Sequence, residues 1–266
     1  MRLSKGYTLT IIVGNTNTIV GAFVGDRYDC KWRLETRLGR TADEYADWLL
    51  SHLARVDIKP SHVNGIVIGS VIPSINVVLK SMAKRYFKLE ALVVEKGVKT
   101  GVNVVYGNGL GADRLANLVA AQAMFKPPYI IADLGMHTSL DVVDKDGNYQ
   151  GGVVTVGEWL MQHSLMDRVA LTPALEMSKP KELIGRDLQQ SMQSGSYWGM
   201  VSMLEGLIER LWQQLGYEGQ VIATGGFAQD LSGDLAFDAV DTNLTLQGLK
   251  IIYDRQAIKQ AKQKQG

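Results

Sequence analysis

Tyr7-Thr-Leu-Thr-Ile-Ile-Val-Gly-Asn-Thr-Asn-Thr-Ile-Val-Gly-Ala-Phe-Val24 decides the fold. Its first seven residues are β-branched or apolar, and Gly14-Asn15-Thr16-Asn17 breaks them with turn chemistry. Thr18–Val24 resumes the strand pattern, Gly25-Asp26-Arg27 interrupts it, and Asp29–Glu35 reads as a third strand. The same order recurs later. Tyr129–Asp133 is a strand, Gly135 a turn, Ser139–Val143 a strand, and Asp146-Gly147-Asn148 a hairpin turn before a strand through Val153-Val154. A three-strand meander opening on a small-residue turn therefore occurs twice, and each copy is followed by helices and strands in alternation. That repeat predicts an α/β chain of two related halves facing each other across a central cleft, with the first turn of each half pointing into it. The boundary falls near residues 118–128, giving domains of 1–120 and 121–266.

Between and after the meanders the periodicity switches. Thr41 reads as an N-cap, with Asp43 and Glu44 in the first turn of the helix behind it. Strand Gly65–Val71, helix Ser74–Tyr86, strand Ala91–Val94 and a short strand near Val102–Val105 follow. Helix Ala112–Ala123 runs up to Pro127-Pro128. After the second meander come helices near Glu158–Val169 and Leu188–Leu215, strand Gln220–Ala223, the turn Thr224-Gly225-Gly226 with another helix start, and an ordered segment at Gln247–Asp254.

Composition excludes several classes. Lys and Arg number 28 against 27 Asp and Glu, and no like-charge run reaches five, so there is neither a nucleic-acid groove nor a membrane-surface helix in the pattern. The basic concentration at Lys259–Lys264 reads as a solvated end. No stretch approaches the roughly 18 apolar residues of a membrane span, and the start lacks an apolar signal core. One cysteine, Cys30, leaves no intramolecular disulfide and packs as a small apolar residue. The expected location is the cytoplasm.

Three turns carry the chemistry. Gly14, Asn15 and Thr16 offer backbone N–H groups and small polar side chains to an anion, although the same turn also serves a plain tight hairpin. Asp133-Leu134-Gly135-Met136-His137-Thr138-Ser139 sets a carboxylate at a strand end before Gly and hydroxyl residues, which suits a cation and a nucleotide phosphate. Thr224-Gly225-Gly226 presents bare backbone on which a ribose or adenine can lie. Gly111-Ala112-Asp113-Arg114 opens a helix whose positive end favours an anion, with Asp113 able to accept a proton from a substrate hydroxyl. Simple helix capping by Asp113, with Arg114 solvated, accounts for the same residues.

The chain resembles the type III pantothenate kinases, of the acetate and sugar kinase and actin superfamily. Val13–Asn17, Trp32-Arg33-Leu34, Thr41–Tyr45, Gly97–Gly101, Gly111–Asn117, Asp133-Leu134-Gly135 and Asp141-Val142-Val143 carry the likeness. Gly151-Gly152, Ile184-Gly185-Arg186, Ser191–Gly195, Thr224-Gly225-Gly226 and Leu244–Leu249 continue it, collinear over about residues 8–253. The resemblance implies duplicated actin-like (ribonuclease H-like) domains and a homodimer with the pantothenate pocket near the subunit interface. It implies ATP, Mg²⁺ and a monovalent cation (K⁺ or NH₄⁺) as cofactors, and phosphorylation of the primary hydroxyl of pantothenate, the first step of coenzyme A biosynthesis. Carried over by position, Asp113 is the base, Asp133 helps bind the monovalent cation, and Tyr106, Gly111 and Arg114 belong to the substrate site. Gly14, Asn15, Thr16, Gly135, Thr138, Gly225 and Gly226 border the nucleotide.

Several positions depart from the family's pattern. Aspartate is expected where this chain has Ile12, and Gly-Thr-Ala-Thr-Thr where it reads Gly135-Met136-His137-Thr138-Ser139. The loop Tyr106–Leu110 is two residues shorter than the family's and lacks its proline, Val156-Gly157 stands for Pro-Gly, and Leu188 stands for a threonine. Phosphoryl transfer depends on positioning and charge neutralisation, so an alkyl group at position 12 removes a central part and predicts impaired or altered activity. His137 invites a role as base or metal ligand beside Asp133, against the plainer one of a polar residue filling space. His52, His62 and His163 read as surface or boundary residues. Three functions compete: a pantothenate kinase with its metal held by Asp133 and water, a silent relative that binds a ligand or partner, and different chemistry using His137 and the shortened loop.

Overall fold

β1 (Tyr7–Val13), β2 (Asn17–Val24) and β3 (Arg27–Glu35) form the first antiparallel meander, with Ile12 directly opposite Ile19. In the computed structural model, which describes residues 6–95, 98, 100–103, 110–168 and 177–265, β4 (Val63–Ser70) and β5 (Leu92–Val93) extend this sheet in parallel on the other side of β1. The order is β3-β2-β1-β4-β5. Parallel pairing needs a crossover, which α1 (Ala42–Ala54) supplies between β3 and β4. Strand alternation then divides β1 into two faces. Leu9, Ile11 and Val13 pack with Tyr45, Leu49 and Leu53 of α1 and with Ile75 and Leu79 of α2 (Pro73–Met82). Thr8, Thr10 and Ile12 take the opposite face, which α7 (Leu244–Gln265) covers. Both faces are buried, which is why the strand reads as nearly continuous apolar sequence.

The second sheet repeats the plan. β6 (Tyr129–Leu134), β7 (His137–Val143) and β8 (Tyr149–Val156) form the meander, and β9 (Gln220–Thr224) and β10 (Ala239–Val240) add in parallel beside β6. Its order, β8-β7-β6-β9-β10, is the first sheet's order over again. Ile130, Ala132, Leu134, Leu140 and Val142 pack with Tyr197, Met200 and Leu204 of α5 (Leu188–Leu215). α4 (Glu158–Arg168) and α6 (Ala228–Leu231) complete this half. The two related α/β halves expected from the repeat are observed, in the duplicated form that the resemblance to an actin-like fold implies.

The described residues divide into two compact units, the first within 1–101, 108–123 and 244–266 and the second within 102–107 and 124–243. This differs from a division at residue 120, because the C-terminal segment rejoins the first unit. Leu246 and Leu249 pack over Gly21 and Gly69, and Gly248 lets α7 close on Ala116 of α3 (Ala112–Met124). Gln247–Asp254 is thus the middle of a long helix, and Lys259–Lys264 lies on that helix too.

Three local expectations shift. The helix expected to reach Tyr86 ends at Met82 and continues as a π-helical turn, Ala83–Phe87, closed by Lys88 in the left-handed region. The strand at Ala91–Val94 shortens to β5. Val102 and Asn103 are in no strand, and the remainder of that expected element lies outside the described residues.

Candidate functional site

In the first unit the turn after β1 is closed by the Gly14 N–H donating to the Asn17 carbonyl at 2.9 Å. The Asn17 side-chain amide donates to Thr16 Oγ1 at 3.0 Å, and the Thr16 carbonyl accepts from the Thr36 N–H at 2.9 Å. Asn15 stands exposed at the tip, and Gly14 and Thr16 are half-buried. Beneath this turn Ile12 is 7% exposed. Its neighbours converge around Gly69 on β4, where a β-carbon would stand 2.9 Å from Leu249 Cδ2, 3.1 Å from Ile12 Cδ1 and 3.4 Å from Ala112 Cβ. The floor of the first turn is therefore hydrocarbon.

α3 begins beside that floor. Asp113 sits in its first turn, where Oδ1 accepts the Arg114 N–H at 2.8 Å, and Leu115 N–H donates to the Gly111 carbonyl at 3.0 Å. A β-carbon at Gly111 would collide with Asp113 Oδ1, so the glycine makes room for the carboxylate. Arg114 is half-buried and engaged. Asp113 thus accepts a backbone N–H in the first turn of its own helix while staying partly open to solvent, and Arg114 is not the solvated side chain that simple capping implies. Tyr106 lies outside the described residues.

The second unit builds the corresponding turn. The Gly135 N–H donates to the His137 carbonyl at 3.2 Å, and the Met136 carbonyl accepts from the Gly157 N–H at 3.2 Å. Gly157 opens α4 against this turn, and any side chain there would strike the Gly135 and Met136 carbonyl oxygens. Gly225 closes the third side with φ +95°, its α-carbon pressed against the Leu134 backbone, and the Leu134 carbonyl accepts from the Phe227 N–H at 3.1 Å. Gly226 follows with open space around it. So Gly135, Gly225 and Gly226, far apart in sequence, come together at one end of the sheet.

Register places the polar side chains. Asp133 is opposite Ser139 on β7 and beside Thr224 on β9, so hydroxyls flank it on both sides. His137 shares this face by alternation, and Ser139 Oγ reaches the fully buried Asp141 at 3.3 Å. Thr138 lies opposite Leu134 on the other face, fully buried, with its hydroxyl lacking a hydrogen-bond partner. A buried hydroxyl left unpaired costs about 1–3 kcal/mol. Leu188 opens α5 behind the Asp187 cap and is exposed.

Glu158 escaped the sequence reading, although an acidic residue opening a helix immediately after Gly157 was visible as a signal. Burial raises its carboxyl above the ordinary 4.5, His163 opposes the shift and Asp230 adds to it.

Each unit by itself presents a glycine turn of the kind that suits phosphate oxygens, Gly14–Thr16 in the first and Gly135 with Gly225-Gly226 in the second. The residues present fit a divalent ion poorly at the first turn, where Ile12, Leu249 and Ala112 present no oxygen. Among the described residues no group of three or more His, Cys, Asp or Glu is placed to hold a metal.

The sequence profile of type III pantothenate kinases matches residues 8–210. The Geobacillus sp. (strain WCH70) type III pantothenate kinase is 37% identical over 246 residues, covering 91% of this chain and 95% of the relative. Among solved structures, a conserved Baf family protein from Campylobacter jejuni superposes with a TM-score of 0.59 at 16% identity, covering 94% of this chain and 98% of that one. The polyphosphate/ATP-glucomannokinase of Arthrobacter sp. strain KM gives 0.50 at 12% identity, over 94% and 99%. These two likenesses speak for the fold. Profile and relative together, over nearly the whole length, make this chain a member of the type III pantothenate kinase family.

Proposed function

We propose that this chain transfers the terminal phosphoryl group of ATP to the primary hydroxyl of pantothenate, more slowly than family members with aspartate at position 12. Asp113 carries the reading: it is the carboxylate at the start of α3, with Gly111 keeping its approach open. In the transfer the hydroxyl oxygen bonds to the γ-phosphorus, the bond to the β-phosphate oxygen breaks, and Asp113 takes the hydroxyl proton. ATP supplies the phosphoryl group. Carried over by position, Gly14, Asn15, Thr16, Gly135, Thr138, Gly225 and Gly226 are the residues proposed for the nucleotide. Asp133, flanked by Ser139 and Thr224, takes a monovalent cation. Arg114 and Tyr106 orient pantothenate, in a cytoplasmic homodimer.

Ile12 sets the rate. Loss of one well-placed electrostatic group in such a site costs about 10²–10³ in turnover. Purified chain with ATP, MgCl₂ and KCl is expected to form phosphopantothenate slowly, and Asp113→Asn to abolish it. The buried apolar surround of Ile12 favours a second reading, a silent relative that binds nucleotide or pantothenate without turnover. No product from the native chain, with product restored by Ile12→Asp, selects that one.

A further inference from the structure

The two halves are built on one plan, and that plan pairs Ile12-Val13-Gly14 with Asp133-Leu134-Gly135. In each, the glycine N–H closes the turn onto a carbonyl, at 2.9 Å to Asn17 and 3.2 Å to His137. In each, the residue two before the glycine lies on the sheet face away from the α1–α2 or α5 core. What surrounds that residue differs completely. Asp133 has Ser139 opposite and Thr224 beside it. Ile12 has Ile19 opposite and Gly69 beside it, with Leu249 and Ala112 filling the space the glycine leaves.

We infer that this chain binds its nucleotide without a divalent cation. The inference rests on the nucleotide site proposed above. Mg²⁺ is a hard ion that keeps a near-octahedral shell of oxygens, drawn from one or two carboxylates, substrate phosphates and water. The first turn offers it neutral Asn15 and Thr16 above a hydrocarbon floor. Waters of its shell directed at Ile12, Leu249 and Ala112 would find no acceptor, and polar groups lose stability when buried unpaired. The oxygen-bearing half sets the Asp133 carboxylate between two hydroxyls, suited to the monovalent cation assigned there, and the next carboxylate along that face, Asp141, is fully buried against Ser139. One substitution alone would leave a notch that water could enter. Here the notch is closed by side chains from three elements, so the loss is structural.

The test is calorimetric titration of the native chain with the non-hydrolysable analogue ADPNP, at constant KCl and ionic strength, once with excess MgCl₂ and once with EDTA. The dissociation constants are expected to agree within about threefold. Binding tighter by tenfold or more with Mg²⁺ overturns the inference and leaves the nucleotide site standing. Absence of binding in both buffers removes the nucleotide site, and the inference with it. Ile12→Asp, where circular dichroism shows it folded, is expected to gain a Mg²⁺ dependence of at least tenfold. A folded Ile12→Asp with no such gain also overturns the inference. Should that variant not fold, the two native titrations decide.

Discussion

A methyl group is enough to open the second turn. At Gly225 an alanine would adopt φ +95°, costing about 1–3 kcal/mol, and would collide with the Leu134 carbonyl that Phe227 uses. Gly225→Ala is expected to lower stability by that order in urea titration and to abolish ADPNP binding, and a variant that keeps native affinity refutes the arrangement. Lys250 makes a contrasting case. Its side chain is 7% exposed, bonded to Asp254 at 2.5 Å, with Asp26 at 4.0 Å. Removing one partner of a mostly buried pair strands the other, whereas an apolar replacement does not. Asp254→Asn is therefore expected to cost about 2 kcal/mol and Lys250→Met less than about 1, measured by thermal unfolding. Sequence shows the residues of the site wherever the chemistry is local, as in Gly14-Asn15-Thr16 and Gly111–Arg114. It shows that position 12 holds isoleucine, but not that Leu249 and Ala112 seal it, since those arrive from helices formed elsewhere in the chain.

At the scale of elements, helix ends do much of the specifying. Thr41 Oγ1 accepts the Glu44 N–H at 3.2 Å while the Glu44 carboxylate accepts the Thr41 N–H at 2.7 Å, a reciprocal capping box. Thr41→Ala is expected to cost about 1 kcal/mol, read from the urea midpoint. The start of α4 behaves oppositely. Burial raises the Glu158 carboxyl, so ionising it in the folded protein costs stability at neutral pH, and that cost disappears as pH falls below the raised value towards the ordinary 4.5. Glu158→Gln is expected to raise the melting temperature at pH 7.5 and to lose that advantage in acid. An equal shift at both pH values would mean that charge is not the cause. The Asp187 cap and the left-handed Gly216 explain why α5 could be read end to end from sequence. The π-helical turn after Met82 could not, because nothing local distinguishes it from one more turn of α2.

At the scale of the whole chain, the repeated order of two five-stranded sheets was legible because turn chemistry and strand periodicity occur twice in the same sequence. The destination of the last helix was not, because periodicity marks α7 as a helix without saying which sheet it covers. Gly248 is its point of closest approach, where any β-carbon would strike the Ala116 carbonyl. Gly248→Ala is expected to weaken hydrogen-exchange protection in β1, β4 and α3 while leaving β6, β7 and β9 unchanged, and uniform loss in both sheets would contradict the division into two units.

That return of α7 also sets an order of events during synthesis. Residues 124–243, which supply nearly all of the second unit, emerge from the ribosome as one uninterrupted stretch. The first sheet appears earlier, yet one of its faces stays only partly covered until residues beyond 243 have left the exit tunnel. The half translated first is thus the half completed last, and its Thr8, Thr10 and Ile12 face is the surface a nascent-chain chaperone would meet.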